Sequence, residues 1–184
     1  MTKVFLGGSR HISRLNSQID ERLDAIVNKQ FPVLVGDANG ADKAIQRYLN
    51  NRGYRNVEIF CVGSICRNNI GDWPIRSINS NVRERDFSFY SAKDRVMTAE
   101  ATIGLMVWDG KSVGTLLNVW RLLDNKKFVV VYASPEKNFW ELKNFNQWEE
   151  FITHYDARLR WKVEQKAALE SHSNESSQQT TLGF

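Results

Sequence analysis

Apolar and polar positions change their spacing in regular blocks along residues 1–133, and the blocks predict strands and helices in turn. Short apolar runs predict buried parallel strands over residues 3–7, 32–36, 57–62, 102–108 and 128–132. Apolar residues at three- and four-residue spacing predict helices over residues 15–27, 41–51, 89–100 and 114–125. Alternating strands and helices form a layered α/β fold. The sequence therefore predicts a single Rossmann-like, doubly wound, mostly parallel sheet of about five or more strands.

One internal segment, residues 63–86, has no sustained hydrophobic period. It contains Gly63, Gly71, Pro74 and four arginines, Arg67, Arg76, Arg83 and Arg85. Long segments of this kind inside a compact domain are usually binding loops or lids. We expect a lid here, in which Trp73 either stacks on a ligand or pins the loop to the body of the domain.

The C-terminal region divides into two parts after a domain spanning residues 1–143. Residues 144–170 have a helical pattern and form a C-terminal helical extension, whose apolar stripe consists of Trp148, Phe151, Ile152, Tyr155, Leu159 and Val163. The stripe is expected to dock on the domain, with a homo-oligomer interface as the alternative. Residues 171–184 are polar, which predicts a disordered tail.

Composition and charge place the chain among ordinary globular proteins. The 184 residues are 42% hydrophobic, and 25 Lys and Arg against 21 Asp and Glu give a formal net charge of +4. This mild excess suits an anionic small ligand and permits nucleic acid. No apolar run approaches the roughly 18 residues of a membrane span, and the first residues do not resemble a signal peptide. We therefore expect a cytoplasmic protein without a membrane partner.

Cys61 and Cys66 are the two cysteines of the chain. No second Cys/His pair completes a zinc site, so the sequence predicts no metal site. In the cytosol these cysteines are expected to be reduced, partly buried thiols, and a redox pair is the alternative.

Ligands of open parallel sheets bind beyond the carboxyl ends of the strands, so the turns after the strands are the first candidates for a site. The first turn is GGSR, in which Gly7 and Gly8 would let the backbone approach a phosphate, Ser9 would donate or cap, and Arg10 would supply charge. Ordinary turn chemistry explains the same residues equally well.

The second turn, GDANGAD, follows the strand at residues 32–36. Its candidate ligand-binding residues are Gly36, Asp37, Gly40, Ala41 and Asp42. Asp37 and Asp42 could face a sugar or base, with Asp42 accepting from a ribose hydroxyl or a base edge. The alternative for Asp42 is stabilisation of the helix start by the helix dipole.

The third turn is WDGKSVGT, in which Gly110, Ser112, Gly114 and Thr115 place backbone N–H groups and hydroxyls at a helix N-terminus. Such an N-terminus is suited to an anion. The turn is neither a Walker A loop nor a GxGxxG fingerprint. Lys93 and Arg95, from the preceding helix, either reach the same crevice or lie on a solvated helix face.

The order of these motifs resembles the SLOG superfamily of nucleotide-binding Rossmann-like proteins, and within it the YspA/YpsA-related branch. That branch has GGSR, GDAxGAD, an Arg-Asn pair, DRxM and WDGxSxGT, which are matched here by residues 7–10, 36–42, 67–68, 94–97 and 108–115. The resemblance covers residues 1–133. It implies a nucleotide-binding domain, and the superfamily also includes the DNA-processing protein DprA and the Lonely Guy glycosidic hydrolases.

The Lonely Guy enzymes use a glutamate in their glycine-rich loop, and the matching position here is Asn118. An amide cannot act as a carboxylate nucleophile or a titrating acid, so cleavage by that mechanism is not expected. Another acid could substitute, namely Asp37, Asp42, Asp94, Glu100 or Asp109. No catalytic residue follows from the sequence, and the candidates are Asp42, Asp109 and Arg95.

The function expected from these observations is binding of a nucleotide or nucleotide-sugar as a sensor or carrier. The resemblance to the SLOG superfamily implies a role in phage defence or stress signalling, with an effector protein as partner. The alternatives are an N-glycosidic hydrolase or transferase that uses an aspartate, and DprA-like binding of single-stranded nucleic acid. No cofactor is expected. The predicted ligand-binding residues are Gly7, Gly8, Ser9, Arg10, Gly36, Asp37, Gly40, Ala41, Asp42, Arg67, Asn68, Lys93, Arg95, Trp108, Asp109, Gly110, Ser112, Gly114, Thr115 and Asn118.

Overall fold

The computed structural model describes residues 1–79 and 87–179. Its strands are β1 (Val4–Gly8), β2 (Val33–Gly36), β3 (Val57–Val62), β4 (Ile75–Ile78), β5 (Ile103–Trp108), β6 (Phe128–Ala133) and β7 (Asn138–Leu142). Its helices are α1 (Ser17–Asn28), α2 (Ala41–Asn51), α3 (Phe87–Glu100), α4 (Val113–Asp124), α5 (Phe145–Thr153) and α6 (Ala157–Gln179).

The strands form one sheet in the order β4-β3-β2-β1-β5-β6-β7. Every neighbouring pair is parallel except β6 and β7, which are antiparallel. The predicted α/β fold, with a Rossmann-like, mostly parallel sheet and a C-terminal helical extension, is confirmed. The sequence patterns missed β4 and β7, the strands at the two edges of the sheet.

Side chains alternate between the two faces of the sheet and bury both. On one face, Phe5, Phe60 and Trp108 join a core with residues of α3 to α6. On the other face, Leu6 and Val35 join a second core with residues of α1 and α2. Helices therefore cover both faces, which leaves the ends of the strands as the place for a cleft.

The C-terminal stripe docks on the domain, as expected. Trp148, Phe151, Ile152 and Val163 are buried in the first of these cores, and Tyr155 and Leu159 pack against it. Helix α6 continues beyond Ser171, where disorder is predicted, and residues 180–184 lie outside the described part of the chain. The disorder of the tail and the homo-oligomer interface stay predictions.

The segment after β3 differs from the expected irregular lid. It contains β4, which pairs with β3, and the side chain of Trp73 is 3% exposed and donates from Nε1 to the Tyr54 carbonyl oxygen at 2.9 Å. Trp73 therefore anchors the segment and does not stack on a ligand. Arg76 pairs with Glu58 on the neighbouring strand. Arg83 and Arg85, on which the lid prediction also rested, lie outside the described residues.

The expectation of reduced thiols is wrong, because the structure joins Cys61 and Cys66 in a disulfide. Cys61 ends the buried part of β3, and the chain turns back at Gly63 so that the two Cα atoms lie 5.3 Å apart. That separation is within the range that a disulfide spans. The spacing of the two cysteines in the sequence did not reveal this turn.

Candidate functional site

A cleft of about 550 Å³ opens at the carboxyl ends of β1 and β5. These two strands are central neighbours in the sheet, and the chain leaves β1 toward β2 on one side and returns to β5 on the other. The strand order therefore reverses here, and such a switch point is where ligands of doubly wound sheets bind.

The structure brings many of the predicted site residues together in the lining of this cleft: Gly7, Gly8, Arg10, Asp42, Arg67, Lys93, Asp109, Ser112, Gly114, Thr115 and Asn118. A second group of predicted residues does not line the cleft: Ser9, Gly36, Asp37, Gly40, Ala41, Asn68, Arg95, Trp108 and Gly110. Several of these hold the lining residues in place.

Ser9 is fully buried and joins the first turn to the third. Its backbone N–H donates to the Val107 carbonyl oxygen at 2.9 Å, and its Oγ donates to Oδ2 of Asp109 at 2.7 Å. The Ser9 hydroxyl donates to Asp109 in this structure, and its donation to a ligand stays a prediction. Ser9 therefore positions Asp109.

Asp109 organises the third turn. Its Oδ1 accepts from the backbone N–H groups of Lys111 at 3.0 Å and Ser112 at 2.8 Å. Burial alone would raise the pKa of this carboxyl group, but the hydrogen bonds from Ser9, Ser112 and Lys111 outweigh burial and lower it. The carboxylate is therefore ionised and occupied by internal donors.

Two of the predicted glycines have an internal packing role. A Cβ on Gly8 would lie 2.2 Å from the carbonyl oxygen of Val107, so the close approach of β1 to β5 requires glycine. A Cβ on Gly36 would lie 2.4 Å from Oδ2 of Asp42 and 2.6 Å from Nζ of Lys93. Gly36 therefore supports the site from behind, by leaving room for two charged side chains.

Asp37 holds Arg67 and does not face the cleft, contrary to its predicted role beside a sugar or base. The carboxylate is 2% exposed and accepts from Nε of Arg67 at 3.0 Å, from Nη2 at 2.7 Å and from the backbone N–H at 3.0 Å. Burial opposes ionisation of Asp37, but these bonds outweigh it and lower the pKa of the carboxyl group. The guanidinium group also lies over the ring of Tyr90, 4.6 Å from its centre.

The chain after Arg67 is fastened to the start of α2. Asn68 donates from Nδ2 to the Asp37 carbonyl oxygen at 2.8 Å. Gln46, which is fully buried, donates to the Gly36 carbonyl oxygen at 2.8 Å and accepts from the Ile70 N–H at 3.0 Å. Asn68 is thus a positioning residue, although the motif suggested ligand contact.

The floor of the cleft carries two buried charged groups, Asp42 and Lys93, and a third, Asp94, that is partly buried. Asp42 is 6% exposed and accepts from the Ala38 N–H at 3.2 Å, and its burial raises the pKa of the carboxyl group to about 6 although Lys93 opposes this. Nζ of Lys93 lies 2.7 Å from Oδ1 of Asp94. Burial would lower the pKa of Lys93, but the surrounding carboxylates outweigh it and raise the pKa. Lys93 is therefore charged.

A polar chain connects this floor to the C-terminal helix. Asn118 donates from Nδ2 to Oδ2 of Asp94 at 3.1 Å and accepts from Nη1 of Arg121 at 2.6 Å. Arg121 in turn donates from Nε to Oε2 of Glu170 on α6 at 2.9 Å. For Asp94, burial opposes ionisation, but Lys93, Arg121 and Asn118 together lower the pKa of its carboxyl group.

Arg95 belongs to this polar chain and not to the cleft. Its Nη1 donates to Oγ of Ser91 at 3.0 Å and pairs with Oε1 of Glu170 at 3.3 Å. Arg95 follows the lining residue Ser91 by one helical turn, but its guanidinium group is directed to Glu170 and does not line the cleft. The structure therefore does not bring Arg95 to the cleft, and its role as a phosphate or catalytic group stays a prediction.

The N-terminus of α4 offers backbone donors to the cleft. Oγ of Ser112 caps the helix by accepting from the Thr115 N–H at 3.3 Å. Within the described residues, the backbone N–H groups of Val113 and Gly114 make no hydrogen bond, and both residues line the cleft. Two donors and the positive end of the helix dipole therefore face the same space.

Two exposed cations lie at the same mouth of the cleft. The side chains of Arg10 and Lys111 form no hydrogen bond or ion pair among the described residues. Sequence reasoning missed Lys111 as a lining residue, along with Phe5, His11, Ala38, Tyr90, Ser91, Met97, Val113 and Lys166. Asp94, which also lines the cleft, was named only as an acid that could substitute for the missing glutamate. Lys111 and Val113 belong to the third turn and could have been included, whereas no local pattern identifies Lys166 of α6.

Residues 1–79 and 87–179 were compared with the requirements of a metal site and of a membrane-spanning helix, and they meet neither. These residues contain no group of three or more His, Cys, Asp or Glu side chains that could hold a metal ion. None of their helices combines the length and the apolar character needed to cross a membrane. Comparison of the chain with protein-family models gives no match, and comparison with curated proteins also gives none.

Proposed function

We propose that the protein binds a nucleotide or nucleotide-derived ligand in this cleft and acts as a sensor or carrier. The observation that carries the proposal is the charge of the lining at the switch point. Five basic side chains and three carboxyl groups line the cleft, namely Arg10, Arg67, Lys93, Lys111, Lys166, Asp42, Asp94 and Asp109. With all of them ionised, and with Asp37 counted because it pairs with Arg67 behind the lining, the site has an excess of one positive charge, and the exposed charges of Arg10 and Lys111 lie at its mouth. This arrangement suits an anionic group such as a phosphate monoester.

The phosphate group is assigned to the mouth of the cleft near α4. The unpaired N–H groups of Val113 and Gly114 would donate to its oxygens, and Arg10 and Lys111 would neutralise its charge. The ring of Phe5 and the side chain of Met97 also line the cleft and would contact the rest of the ligand. The resemblance of the turn motifs to the SLOG superfamily supports the same assignment.

Binding without turnover is favoured by the state of the acidic groups. Asp109 is occupied by the donors of its own turn, and Asp94 is held by Lys93 and Asn118. The amide of Asn118, at the position of the superfamily's glutamate, is itself bonded on both sides. A general base or nucleophile must reach the reacting atoms of the substrate. In this structure these three side chains are bonded to other protein groups, which favours binding over catalysis.

One observation favours a second candidate function, cleavage of the N-glycosidic bond of a nucleotide. Oδ2 of Asp94 lies 3.1 Å from Nδ2 of Asn118, so an ionised carboxylate from α3 lies beside the position of the missing glutamate. If Asp94 carries such a reaction, Asp94→Asn would abolish release of the free base and preserve ligand binding. The third candidate is DprA-like binding of single-stranded nucleic acid. The side chain of Trp73 is buried, so it does not offer the stacking surface that this candidate requires.

The experiment is a thermal-shift panel of nucleoside mono-, di- and triphosphates, NAD derivatives, cyclic nucleotides and short single-stranded oligonucleotides, followed by chromatography of every ligand that binds. A ligand at one hundred times its dissociation constant stabilises the folded state by about 2.7 kcal/mol, which raises the melting temperature by a few degrees. We expect a mononucleotide-type ligand to bind and to be recovered intact. Release of a free base would favour the second candidate.

A matched pair of variants tests whether binding uses the mouth of the cleft. The double variant Arg10→Gln, Lys111→Gln should lose most of the affinity for the ligand that the panel identifies. The control, Arg47→Gln with Lys162→Gln, removes the same charge from exposed positions that do not line the cleft. Equal loss in both variants, or binding of oligonucleotides alone with a steep decrease in salt, would overturn the proposal.

A further inference from the structure

We propose that the Cys61–Cys66 disulfide is a reversible redox switch that sets the affinity of the cleft through Arg67. The inference rests on the proposed function, because it concerns regulation of the same site. Its starting point is position: Cys66 directly precedes Arg67, which lines the cleft, and Cys61 lies within strand β3.

The disulfide is the tether that fixes the chain between β3 and Arg67. Gly63 is bonded to β4, since its N–H donates to the Ile78 carbonyl oxygen at 3.1 Å. Ser64 and Ile65 are exposed, with 82% of Ile65 accessible to solvent, and among the described residues 64–66 make no hydrogen bond through backbone or polar side chain. Hydrogen bonds hold the two ends of this stretch, from Gly63 to Ile78 and from Arg67 to Asp37, and the disulfide is the covalent tether between them.

Arg67 is the side chain that would respond. Its guanidinium group reaches the cleft only while Asp37 holds it from one side and Tyr90 lies beneath it. Reduction of the disulfide would let the residues before Arg67 adopt more conformations. A ligand that binds must then order these residues, and the entropy lost in that ordering lowers the affinity. The oxidised form is therefore the form that binds more tightly.

The two sulfur atoms differ in their exposure to solvent, and this difference decides which sulfur is attacked and which one leaves. Cys61 is fully buried, whereas Cys66 is partly exposed. A small-molecule thiolate attacks Sγ of Cys66, the protein S–S bond breaks, and Sγ of Cys61 leaves with the electron pair and takes a proton. A second thiolate attacks the small-molecule sulfur of the mixed disulfide and releases Cys66.

Atoms and electrons balance in this exchange. Two small-molecule thiols are oxidised to one disulfide, and the protein disulfide is reduced to two thiols. Closure is the reverse reaction, with a small-molecule disulfide as the oxidant. Glutathione and its disulfide supply both directions in the test.

The experiment measures the affinity for adenosine monophosphate by calorimetry in wild type equilibrated with glutathione disulfide or with reduced glutathione. We expect reduction to weaken binding about three- to tenfold. Cys66→Ser should have the weaker affinity in both buffers, because the chain contains only these two cysteines. Equal affinity of the two wild-type forms, or failure of glutathione disulfide to close the bond, would overturn the switch and leave the proposed function intact.

A second measurement separates the switch from the proposed function itself. Hydrogen exchange at the amides of Arg67 and Ile70, which are bonded to Asp37 and Gln46, reports on the tether without any ligand. Reduction should accelerate exchange at both amides. If adenosine monophosphate binds neither form, the choice of this nucleotide is contradicted, and unchanged exchange on reduction would overturn the switch independently.

Discussion

Arg121 of α4 and Glu170 of α6 form an ion pair in which the arginine side chain is only 5% exposed. Arg121 also donates to Oδ1 of Asn118, whose amide holds Asp94 in the cleft. The C-terminal helix therefore stabilises the site floor through a continuous polar path. Arg121 would remain in a low-exposure position if the charge of Glu170 were removed, and burying a charge without its partner is costly.

The first prediction concerns this pair. Glu170→Gln should lower the free energy of unfolding by about 1–3 kcal/mol, because the remaining amide accepts a weaker hydrogen bond from a poorly solvated guanidinium group. Denaturant unfolding measures the change. The control is Glu164→Gln on the same helix, which breaks an exposed pair with Arg160 and should cost less than about 1 kcal/mol. Similar losses in the two variants would contradict a special role for Glu170.

The second prediction uses the titration of Asp42. Burial raises the pKa of its carboxyl group from 3.8 to about 6, so the folded state binds the proton more tightly than the unfolded chain does. The charged carboxylate therefore destabilises the folded state by about 3 kcal/mol above pH 6, and this cost disappears as the pH falls toward 4. Asp42→Asn removes the titrating group.

The measurement is the free energy of unfolding of wild type and Asp42→Asn between pH 4 and pH 7.5. Relative to the variant, wild type should gain stability as the pH falls through about 6. Asp124→Asn, an exposed position at the end of α4, serves as the control, and its curve should run parallel to wild type. A constant difference between wild type and Asp42→Asn would mean that Asp42 does not titrate in this range.

Much of the fold followed from the sequence because its central strands are continuous apolar runs. The edge strands β4 and β7 were not predicted, because they lack such runs. In β4, the exposed residues Ile75 and Ser77 alternate with partly buried neighbours, and in β7 the exposed residues Asn138 and Glu141 interrupt the apolar pattern. Neither segment contains the uninterrupted apolar run that predicts a strand buried on both faces.

The location of the cleft also followed from the sequence, because the carboxyl ends of parallel strands meet at one edge of the sheet. The division between lining and supporting residues did not. Asp37 and Asp109 belong to equally polar turns, yet one is turned inward toward Arg67 and the other lines the cleft. Lys166 reaches the site through the docking of α6. The apolar stripe predicted that docking, but it did not indicate which polar residue of α6 would line the cleft.

The third prediction concerns Gly36. Gly36→Ala places a Cβ against Asp42 and Lys93, where contacts of 2.4 Å and 2.6 Å force the charged pair to move. We expect a loss of about 1–3 kcal/mol in the free energy of unfolding. In an Asp42→Ala background, part of the obstruction is gone, so the same substitution should cost less. Additive effects of the two substitutions in a double-mutant cycle would contradict this steric coupling.

The fourth prediction separates the role of Arg67 in binding from its role in stability. Arg67→Lys loses the paired hydrogen bonds to Asp37 and the planar contact with Tyr90, because a lysine ammonium cannot reproduce either geometry. The affinity for the nucleotide that the panel identifies should fall about tenfold, since the loss of an ordered charged side chain costs about 1.4 kcal/mol. Calorimetric titration measures it.

Arg76 supplies a chemically matched control for that substitution. It also donates two hydrogen bonds to one carboxylate, that of Glu58, and lies over an aromatic ring, that of Phe60, but it does not line the cleft. Arg76→Lys should therefore reduce stability in the same way and leave the affinity unchanged. If both variants lose affinity equally, Arg67 acts only by holding the fold. If Arg67→Lys alone loses affinity, the guanidinium group itself contacts the ligand.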